Sequence, residues 1–399
     1  MTTTGTTTGP LSGIRILDLS IAATGPYAVS LLADQGADVV KVERPGIGDI
    51  GRWIGVQIDG VSALYQVCNR GKRCIAVNLD DAAGVEIVRA LAARSDVVVQ
   101  NWRPGVAEKL GIGYDDVRRD DLVYVSISGF GDVGPYAHKG AYDTVIQAYG
   151  GLGWSQADPA TGTPTFVRQV IADKVTALTA SQAITAALLA RERGHGGQHV
   201  RLSMLDAVVS FLWVDGAGNE VLRDGDGSQP ASFSAGARPF EFLDGWGVAT
   251  PTANSDFFGM CRAFGVDGWD DPRVASPSLR QQHPEVSRPL NERCHEVART
   301  MTTADAMARM EAERVPCGVV LSPAELADDP HARAIGLLVD DVSPVVGRIR
   351  QPRHPALFDA TPAGLGAAAP ALGGDTDAVL DELGFGDRAA DLRAAGVVA

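Results

Sequence analysis

Short apolar runs alternate with amphipathic segments through the first half of the chain. Runs of about four to eight apolar and β-branched residues predict buried strands, and apolar residues at helical spacing predict helices. The predicted strands are residues 14–19, 38–43, 73–78, 96–101, 122–128 and 199–203. Strands that alternate with helices in this way predict an α/β fold with a doubly wound, mostly parallel, Rossmann-like sheet.

One segment, residues 173–193, predicts a longer helix, because it is rich in alanine and apolar at helical spacing. The residues expected on its buried face are Val175, Leu178, Thr179, Ala183, Ile184, Ala187 and Leu188. Asp173 lies at or just inside the predicted start. Its position alone favours a helix N-cap, since aspartate is a preferred capping residue. The alternative is a reactive carboxylate that the helix dipole and free backbone N–H groups hold ionised.

The pattern changes near Asp224, where Gly, Asp, Ser and Pro dominate to about residue 234 and predict a linker. A hairpin at 240–249, turning at Asp244-Gly245, and helices near 257–264, 290–301 and 304–314 predict a smaller α+β domain. We therefore expect a disordered tail at residues 1–10, a large domain formed by 11–224 and 325–399, and an inserted small domain at 225–324.

Charge and composition argue against several classes of partner. The formal net charge of −14 argues against nucleic acids and anionic membranes. No apolar run reaches the roughly 18 residues of a membrane-spanning helix. The 5 cysteines are scattered, without a CxxC pair, and this favours a reducing, cytoplasmic location.

Motifs for nucleotide and metal sites are incomplete. The stretch 129–134 matches GxGxxG after a predicted strand, but Pro135 follows it, and no strand with a terminal acidic residue stands at the expected distance. A glycine-rich loop is therefore favoured over a dinucleotide site. The 7 histidines include no HExxH pattern, and His195 and His199 only flank a turn, so we expect no metal site.

Basic residues follow several of the predicted strands. Ligands of doubly wound sheets bind outside the carboxyl ends of the strands, so we expect Arg44, Arg103 and Lys139 to converge on one crevice. Trp102 offers a ring there for a base or a pantetheine arm. In an acidic protein, such a cluster of cations favours a polyphosphate ligand.

Longer motifs are spread along the whole chain. They are LSGIRILDL at 11–19, GADVVKVERPG at 36–46, NRGKR at 69–73, NWRPG at 101–105, SGFGDVGP at 128–135, GAYD at 140–143, GQHVRLSMLDA at 197–207, VPCGVV at 315–320, ELADDP at 325–330 and LGGDTDAVL at 372–380. With these motifs in this order, the chain resembles the family III coenzyme A transferases, which include formyl-CoA, carnitine and bile-acid CoA-transferases. The resemblance runs from residue 11 to about residue 387.

The resemblance implies that Asp173 is the catalytic aspartate. The implied reaction moves CoA between an acyl-CoA thioester and a free carboxylic acid acceptor, through an aspartyl–acyl anhydride and an aspartyl–CoA thioester. It needs no metal and no tightly bound cofactor. The residues implied to contact CoA are Arg44, Val77, Asn78, Leu79, Asn101, Trp102, Arg103, Lys109, Gly140, Ala141 and Tyr142, to which we add Lys139. The resemblance also implies an interlocked homodimer, each subunit a ring threaded through the other.

Two features depart from the formyl-CoA transferases. Ala23 stands where those enzymes carry a glutamine that assists acyl transfer, and their long glycine-rich loop is not evident in the small domain. Both departures argue against formyl and oxalyl substrates. Trp154, Phe166 and Phe240 are candidates to line a larger acyl pocket. Backbone N–H groups near Gly150-Gly151 and at the start of the long helix are candidates for oxyanion stabilisation.

Two other functions stay open. The 2-methylacyl-CoA racemases share the fold and pair the aspartate with a histidine in a Gly-His-Asp motif, whereas this chain has Ala141-Tyr142-Asp143. With tyrosine in the histidine's place, the proton-shuttling pair is missing, and a transferase is favoured. The second alternative is a non-catalytic CoA-binding protein, which CoA binding without turnover would reveal.

Overall fold

The computed structural model describes residues 9–225 and 238–399. By its internal contacts, the described chain separates into two compact units. One comprises the described residues up to 225 together with those from Gly336 onward, and the other runs from 238 to Ile335. Residues 226–234 of the expected linker and residues 1–8 of the expected tail lie outside the described residues.

The first unit is built on a six-stranded sheet. The strands of its amino-terminal part are β1 (Arg15–Asp18), β2 (Asp38–Glu43), β3 (Gln57–Ile58), β4 (Val61–Ser62), β5 (Lys72–Ala76), β6 (Val97–Gln100), β7 (Val123–Ser128) and β8 (Gln198–Ser203). The sheet has the order β5-β2-β1-β6-β7-β8, and each neighbouring pair is parallel. Strands β3 and β4 form a separate antiparallel hairpin.

Helices cover both faces of this sheet. Those of the amino-terminal part are α1 (Thr24–Ala33), α2 (Ala63–Asn69), α3 (Ala82–Ala93), α4 (Val106–Lys109), α5 (Tyr114–Val117), α6 (Asp143–Tyr149), α7 (Leu152–Ser155), α8 (Ile171–Ala190), α9 (Met204–Leu212) and α10 (Gly218–Val221). Successive strand residues point to opposite faces, so Ile16 packs with α1 and α8 while Leu17 packs with α3. The predicted doubly wound, parallel α/β fold is confirmed.

The second unit is a small α+β fold. Its strands are β9 (Phe240–Glu241), β10 (Trp246–Ala249) and β11 (Cys317–Val319), paired antiparallel in the order β11-β10-β9. Its helices are α11 (Asn254–Ala263), α12 (Pro277–Gln282), α13 (Pro284–Ala298), α14 (Thr303–Ala312), α15 (Pro323–Asp328) and α16 (Pro330–Ala334). The predicted hairpin and the three predicted helices are confirmed.

The carboxy-terminal part of the chain completes the first unit. It contains the antiparallel hairpin β12 (Leu338–Ser343) and β13 (Gly347–Pro352), then helices α17 (Thr376–Leu383) and α18 (Ala389–Ala394). Leu380 and Leu392 of these helices pack on the face that α3 covers. Within the described ranges, no helix is both long and apolar enough to cross a bilayer.

The long helix α8 begins two residues before Asp173, and its N-cap is Val170. Asp173 therefore occupies the third helical position, and the interpretation of this residue as the N-cap is wrong. The N-cap interpretation failed because the two residues before Asp173, Ile171 and Ala172, are already helical. The aspartate therefore marks the first turn of the helix and not its cap.

The buried face of α8 is only partly the predicted one. Ile184, Ala187 and Leu188 are buried as expected, but Leu178 is 53% exposed. Small residues on another side, such as Ala177 and Ala180, face the core and allow close packing against α1. An alanine-rich helix is apolar on most sides, so its spacing did not indicate which side meets the sheet.

Candidate active site

A cavity of about 830 Å³ lies at the carboxyl ends of the parallel strands. The chain segments that form it are the loops after β1, β6 and β7 and the segment leading into α8. In a parallel sheet these loops emerge at one edge, and ligands of such folds bind there. Isoleucine, alanine and valine side chains supply much of its wall, and Asp143 and Asp173 are the acidic residues in its lining.

Asp173 presents its carboxylate to this cavity from the first turn of α8. The hydroxyl of Thr24 donates a hydrogen bond to Asp173 Oδ1, and the backbone N–H of Asp173 donates to Asp143 Oδ2 at 3.1 Å. Both partners come from other elements, Thr24 from the start of α1 and Asp143 from the start of α6. The carboxylate is therefore held where three segments of the first unit meet.

Burial raises the pKa of Asp173 to about 6 from its ordinary 3.8; the Thr24 hydrogen bond opposes this rise and the negative charge of Asp143 adds to it. The loss of water thus outweighs the Thr24 hydrogen bond in setting the pKa of this carboxyl. With a pKa of about 6, about nine-tenths of the molecules still carry an ionised Asp173 at pH 7. The group is thus partly desolvated and still mostly charged.

The loop that brings Thr24 to Asp173 is fixed by polar side chains. Asn101 clamps Ile21, accepting its N–H and donating to its carbonyl oxygen, both at 2.8 Å. Asp49 Oδ1 accepts the N–H of Ala22 at 2.7 Å. Ala22 has φ of 65°, a left-handed conformation that is unfavourable for alanine. The hydrogen bonds of Asn101 to Ile21 and of Asp49 to the Ala22 N–H help to hold that conformation in place.

Buried charges lie beneath this loop. Lys41 is fully buried; its Nζ lies 2.9 Å from Asp49 Oδ2 and donates to the carbonyl oxygen of Ser20 at 2.7 Å. Lys72 Nζ pairs with Asp18 at 2.8 Å, also fully buried. Burial disfavours the charge on Lys41, but the nearby carboxylates outweigh burial and raise its pKa. Sequence reasoning missed this network, although a lysine inside the apolar strand β2 was a visible signal.

A second cavity of about 180 Å³ lies beside the first. Ile21 and Trp102 line both, so the two are neighbours. The predicted CoA contacts divide between them. Arg44, Val77, Asn78 and Leu79 line the smaller cavity, whereas Asn101, Arg103, Lys139, Ala141 and Tyr142 line the larger. The expected convergence of cations is thus seen for Arg103 and Lys139, with Arg44 in the adjoining space.

Several predicted residues lie elsewhere. Lys109 is exposed and lines neither cavity, and Gly140 packs against the Arg103 guanidinium, whose Nη2 would lie 2.9 Å from a Cβ at that position. The Gly150-Gly151 candidate for oxyanion stabilisation is wrong, because Gly150 packs against Val208 outside both cavities.

The three aromatic residues predicted to line an acyl pocket lie in different places. Phe166 lines the larger cavity as expected. Trp154 is 72% exposed and lies outside both linings. Phe240 is wrong as a pocket residue, since it is buried in the core of the second unit. Sequence reasoning instead missed Ile50, Ile54 and Arg168, which line the larger cavity.

Lys139 is held at the cavity by aromatic rings. Its ammonium lies 4.2 Å from the ring centre of Tyr149 and 5.1 Å from that of Tyr136, and it also donates a hydrogen bond to the Tyr149 hydroxyl. Cation–π contacts of this kind fix an otherwise flexible side chain. Among the described residues, no group of three or more His, Cys, Asp or Glu side chains is placed to hold a metal ion.

Comparison with known proteins supplies the family. The family described as CoA-transferase family III matches residues 11–376. The mouse (Mus musculus) succinyl-CoA:glutarate CoA-transferase is 31% identical over 94% of this chain and 86% of that protein. The formyl-CoA:oxalate CoA-transferase of Rhodopseudomonas palustris (strain HaA2) is 32% identical over 98% of each chain. A CaiB/BaiF family protein from Brucella suis superposes with a TM-score of 0.81, at 29% identity, over 94% of this chain and 100% of that one. The chain belongs to CoA-transferase family III, and it is a CoA-transferase.

Proposed function

We propose that this CoA-transferase moves CoA from an acyl-CoA thioester to a free carboxylic acid with Asp173 as the nucleophile. The observation that carries the proposal is the place of Asp173, a mostly ionised, partly desolvated carboxylate in the larger cavity. Removal of water strengthens a carboxylate as a nucleophile, and the raised pKa reflects greater basicity.

The first half of the reaction consumes the donor thioester. Asp173 Oδ2 attacks the thioester carbonyl carbon, the carbon–sulfur bond breaks, and CoA leaves as a thiolate. The product is a mixed anhydride between the aspartate and the acyl group. The thiolate then attacks Cγ of Asp173, the Cγ–Oδ2 bond breaks, and the donor acid leaves as a carboxylate that carries Oδ2. CoA is now held as an aspartyl thioester.

The second half repeats these steps in reverse. The acceptor carboxylate attacks Cγ of Asp173 and expels the thiolate, which forms a new anhydride. The thiolate attacks the acceptor's acyl carbon, and Asp173 leaves as a carboxylate. Charge is conserved in every step, so the cycle needs no net proton transfer and no electron transfer.

The cations around the two cavities support the proposed CoA site. Arg103 and Lys139 line the larger cavity and Arg44 the smaller, in a chain of net charge −14. The full proposed CoA contact set is Arg44, Val77, Asn78, Leu79, Asn101, Trp102, Arg103, Lys109, Lys139, Gly140, Ala141 and Tyr142. A local cluster of cations binds phosphates even in an acidic protein.

The cavity wall supports an acyl group with an apolar part. Ile21, Ile50, Ile54, Leu64 and Phe166 contribute to it. The names of the two curated relatives pair succinyl-CoA with glutarate and formyl-CoA with oxalate. A panel of thioesters and acids that includes these four compounds and longer aliphatic and aromatic acids would identify the substrates. We expect the bulkier apolar acyl groups to give the higher kcat/KM.

A homodimer is part of the proposal, in the interlocked form that the family resemblance implies. Apolar side chains on the outside of α8 and α9 support an interface there, since Leu178, Leu189 and Phe211 are each half or more exposed. Light scattering on the purified protein should give twice the monomer mass of 41.7 kDa. A monomeric mass at micromolar concentration would contradict this part.

The Asp173→Ala variant tests the nucleophile. We expect a loss of at least about 1,000-fold in kcat, since no second group can form the covalent intermediate. The control is Asp120→Ala, an exposed aspartate next to the amino-terminal end of β7, at the sheet edge opposite the cavity. Mass spectrometry after incubation with acyl-CoA should find a CoA adduct on the peptide that contains Asp173. Full turnover by Asp173→Ala would disprove the proposal.

Two further measurements, deuterium incorporation and CoA binding, separate the alternatives. The described residues that line the larger cavity include no histidine, which leaves the racemase reaction without the imidazole of its proton pair. Deuterium incorporation at C2 of a 2-methylacyl-CoA, without CoA transfer, would favour the racemase. CoA binding with neither activity would favour a non-catalytic binding protein.

A further inference from the structure

The hydroxyl of Thr24 touches the reacting group itself. Thr24 is the first residue of α1, is 3% exposed and lines the larger cavity. An ionised carboxylate has no proton to give, so in its bond with Asp173 Oδ1 the hydroxyl must be the donor. One oxygen of the nucleophile thus carries a fixed hydrogen bond, and Oδ2 is the oxygen left to attack.

Thr24 is also well fixed. Two residues that precede it in the loop, Ile21 and Ala22, are hydrogen-bonded to Asn101 and Asp49, and Lys41 donates to the carbonyl oxygen of Ser20. Asp49 is buried and paired with Lys41, so the clamp on Ala22 is itself held by a buried ion pair. A donor fixed in this way needs little reorganisation when charge develops on its partner.

The charge on Oδ1 changes during the proposed reaction. When the thiolate attacks Cγ of the anhydride, a carbon–sulfur bond forms and the electron pair of the Cγ–Oδ1 double bond moves onto Oδ1. Collapse restores that double bond and breaks Cγ–Oδ2. The acceptor carboxylate's attack on the thioester passes through a similar oxyanion on the same atom.

We propose that Thr24 is a catalytic residue whose hydroxyl stabilises the oxyanion formed on Asp173 Oδ1 while the aspartyl–CoA thioester is made and consumed. This inference rests on the proposed function, since it requires Asp173 to be the covalent carrier. The Thr24 hydroxyl thus donates its hydrogen bond to the enzyme's own carboxylate and not to the substrate. In the attack of Asp173 on the donor thioester, the oxyanion forms on the substrate, and Thr24 gives no such help.

Thr24→Val, which keeps the shape and removes the hydroxyl, is the central test. We expect rapid-quench mass spectrometry to show the CoA adduct on Asp173 forming about 100-fold more slowly, as for other single oxyanion donors. The acyl adduct, which reports the first step, should form within a few-fold of the wild-type rate. Thr24→Ser should restore most of the CoA-adduct rate.

The matched control is Thr176→Val. Thr176 is buried on the same helix as Asp173, but its hydroxyl donates to the carbonyl oxygen of Ala172. This variant should form the CoA adduct at the wild-type rate. If Thr24→Val does not fold, as judged by circular dichroism, Thr24→Ala replaces it in the comparison with Thr24→Ser.

A double variant separates oxyanion stabilisation from pKa tuning. Thr24→Val removes a bond that lowers the pKa of Asp173, and Asp143→Asn removes a charge that raises it. The acid limb of the kcat/KM profile should therefore move to higher pH in the first variant and to lower pH in the second. In the double variant it should move little. The other charged or titratable groups that line the larger cavity are Arg103, Lys139, Tyr142 and Arg168, and the buried thiol of Cys68 interacts electrostatically with Asp173; all stay unchanged.

The outcomes are distinct. CoA-adduct formation should stay slow in the double variant even though its acid limb is restored. A wild-type rate of CoA-adduct formation in folded Thr24→Val would overturn the inference while leaving Asp173 as the nucleophile. Recovery of the rate in the double variant would also overturn it, because pKa tuning alone would then explain the effect. No CoA adduct in the wild type would instead refute the proposed function.

Discussion

Asp173→Asn should make the protein more stable while abolishing its activity. The pKa of Asp173, raised by burial to about 6, stands about two above the ordinary 3.8. Each pKa unit corresponds to about 1.4 kcal/mol, which sets an upper limit of about 3 kcal/mol for the destabilisation by ionised Asp173 at neutral pH. Because the carboxylate is partly open to the cavity, we expect a gain of about 1–3 kcal/mol. Asparagine keeps the acceptor for the Thr24 hydroxyl.

The pH dependence has a definite sign. The unfolded chain loses this proton near pH 3.8 and the folded chain near pH 6, so ionisation favours the unfolded state increasingly between these values. The destabilisation by ionised Asp173 is small at or below pH 4 and reaches its full value above pH 6. The advantage of Asp173→Asn should therefore be full at pH 7.5, smaller at pH 5 and nearly absent at pH 4.

Hydrogen exchange of peptides from α8, combined with urea unfolding, measures the stability change caused by Asp173→Asn near the site. A local measurement is needed because a chain with two compact units need not unfold in one step. The control is Asp120→Asn, on an exposed aspartate, which should change stability by no more than about 0.5 kcal/mol. A gain for Asp173→Asn that is equal at pH 4 and pH 7.5 would refute the reasoning, because it could not come from the buried charge.

Three further predictions concern the surroundings of the site. Lys41→Met should destabilise the first unit by about 3–5 kcal/mol in urea unfolding, because it leaves the buried carboxylate of Asp49 without its cation, whereas Arg388→Met, which breaks an exposed pair, should cost at most about 1 kcal/mol. The pH profile of wild-type kcat/KM should fall below about pH 6 as Asp173 takes up a proton; a flat profile between pH 5 and 7 would contradict its role as an ionised nucleophile. Arg44→Met should raise KM for acyl-CoA about 10-fold with little change in kcat, since Arg44 lies in the smaller cavity; an effect confined to kcat would argue against a binding role.

The sheet could be predicted because its strands are buried on both faces. Such strands appear as uninterrupted apolar runs, and the alternation with helices then fixes a parallel, doubly wound arrangement. The orientation of α8 could not be predicted in the same way. Its alanine content makes most sides acceptable in a core, so contacts with α1 decided which side is buried. The helices α2 and α10 and the hairpin of β3 and β4 were missed because each is short.

The residues of the site that directly follow a strand could be predicted from the sequence. Asn101, Trp102 and Arg103 directly follow β6, so the topology alone places them at the cavity. Contacts between distant segments carry no such signal. Thr24 and Asp173 are separated by 149 positions, and nothing in either local sequence indicates their hydrogen bond. Gly150-Gly151 failed as a candidate for a related reason, since nearness in sequence to the cavity loop did not indicate that these glycines, which follow α6, pack against Val208 and Leu212 of α9.

The environment of Asp173 balances two opposed requirements of a carboxylate nucleophile. Basicity favours attack on a thioester, but the group must also stay ionised at working pH. Burial and Asp143 raise its pKa, and Thr24 opposes that rise, leaving it at about 6. A pKa of 4 would give up basicity, and a pKa of 8 would leave most of the carboxyl protonated at pH 7. Because the two opposing contacts come from α1 and α6, on independent loops of the same sheet edge, substitutions in either loop can adjust this balance without altering the helix that carries the nucleophile.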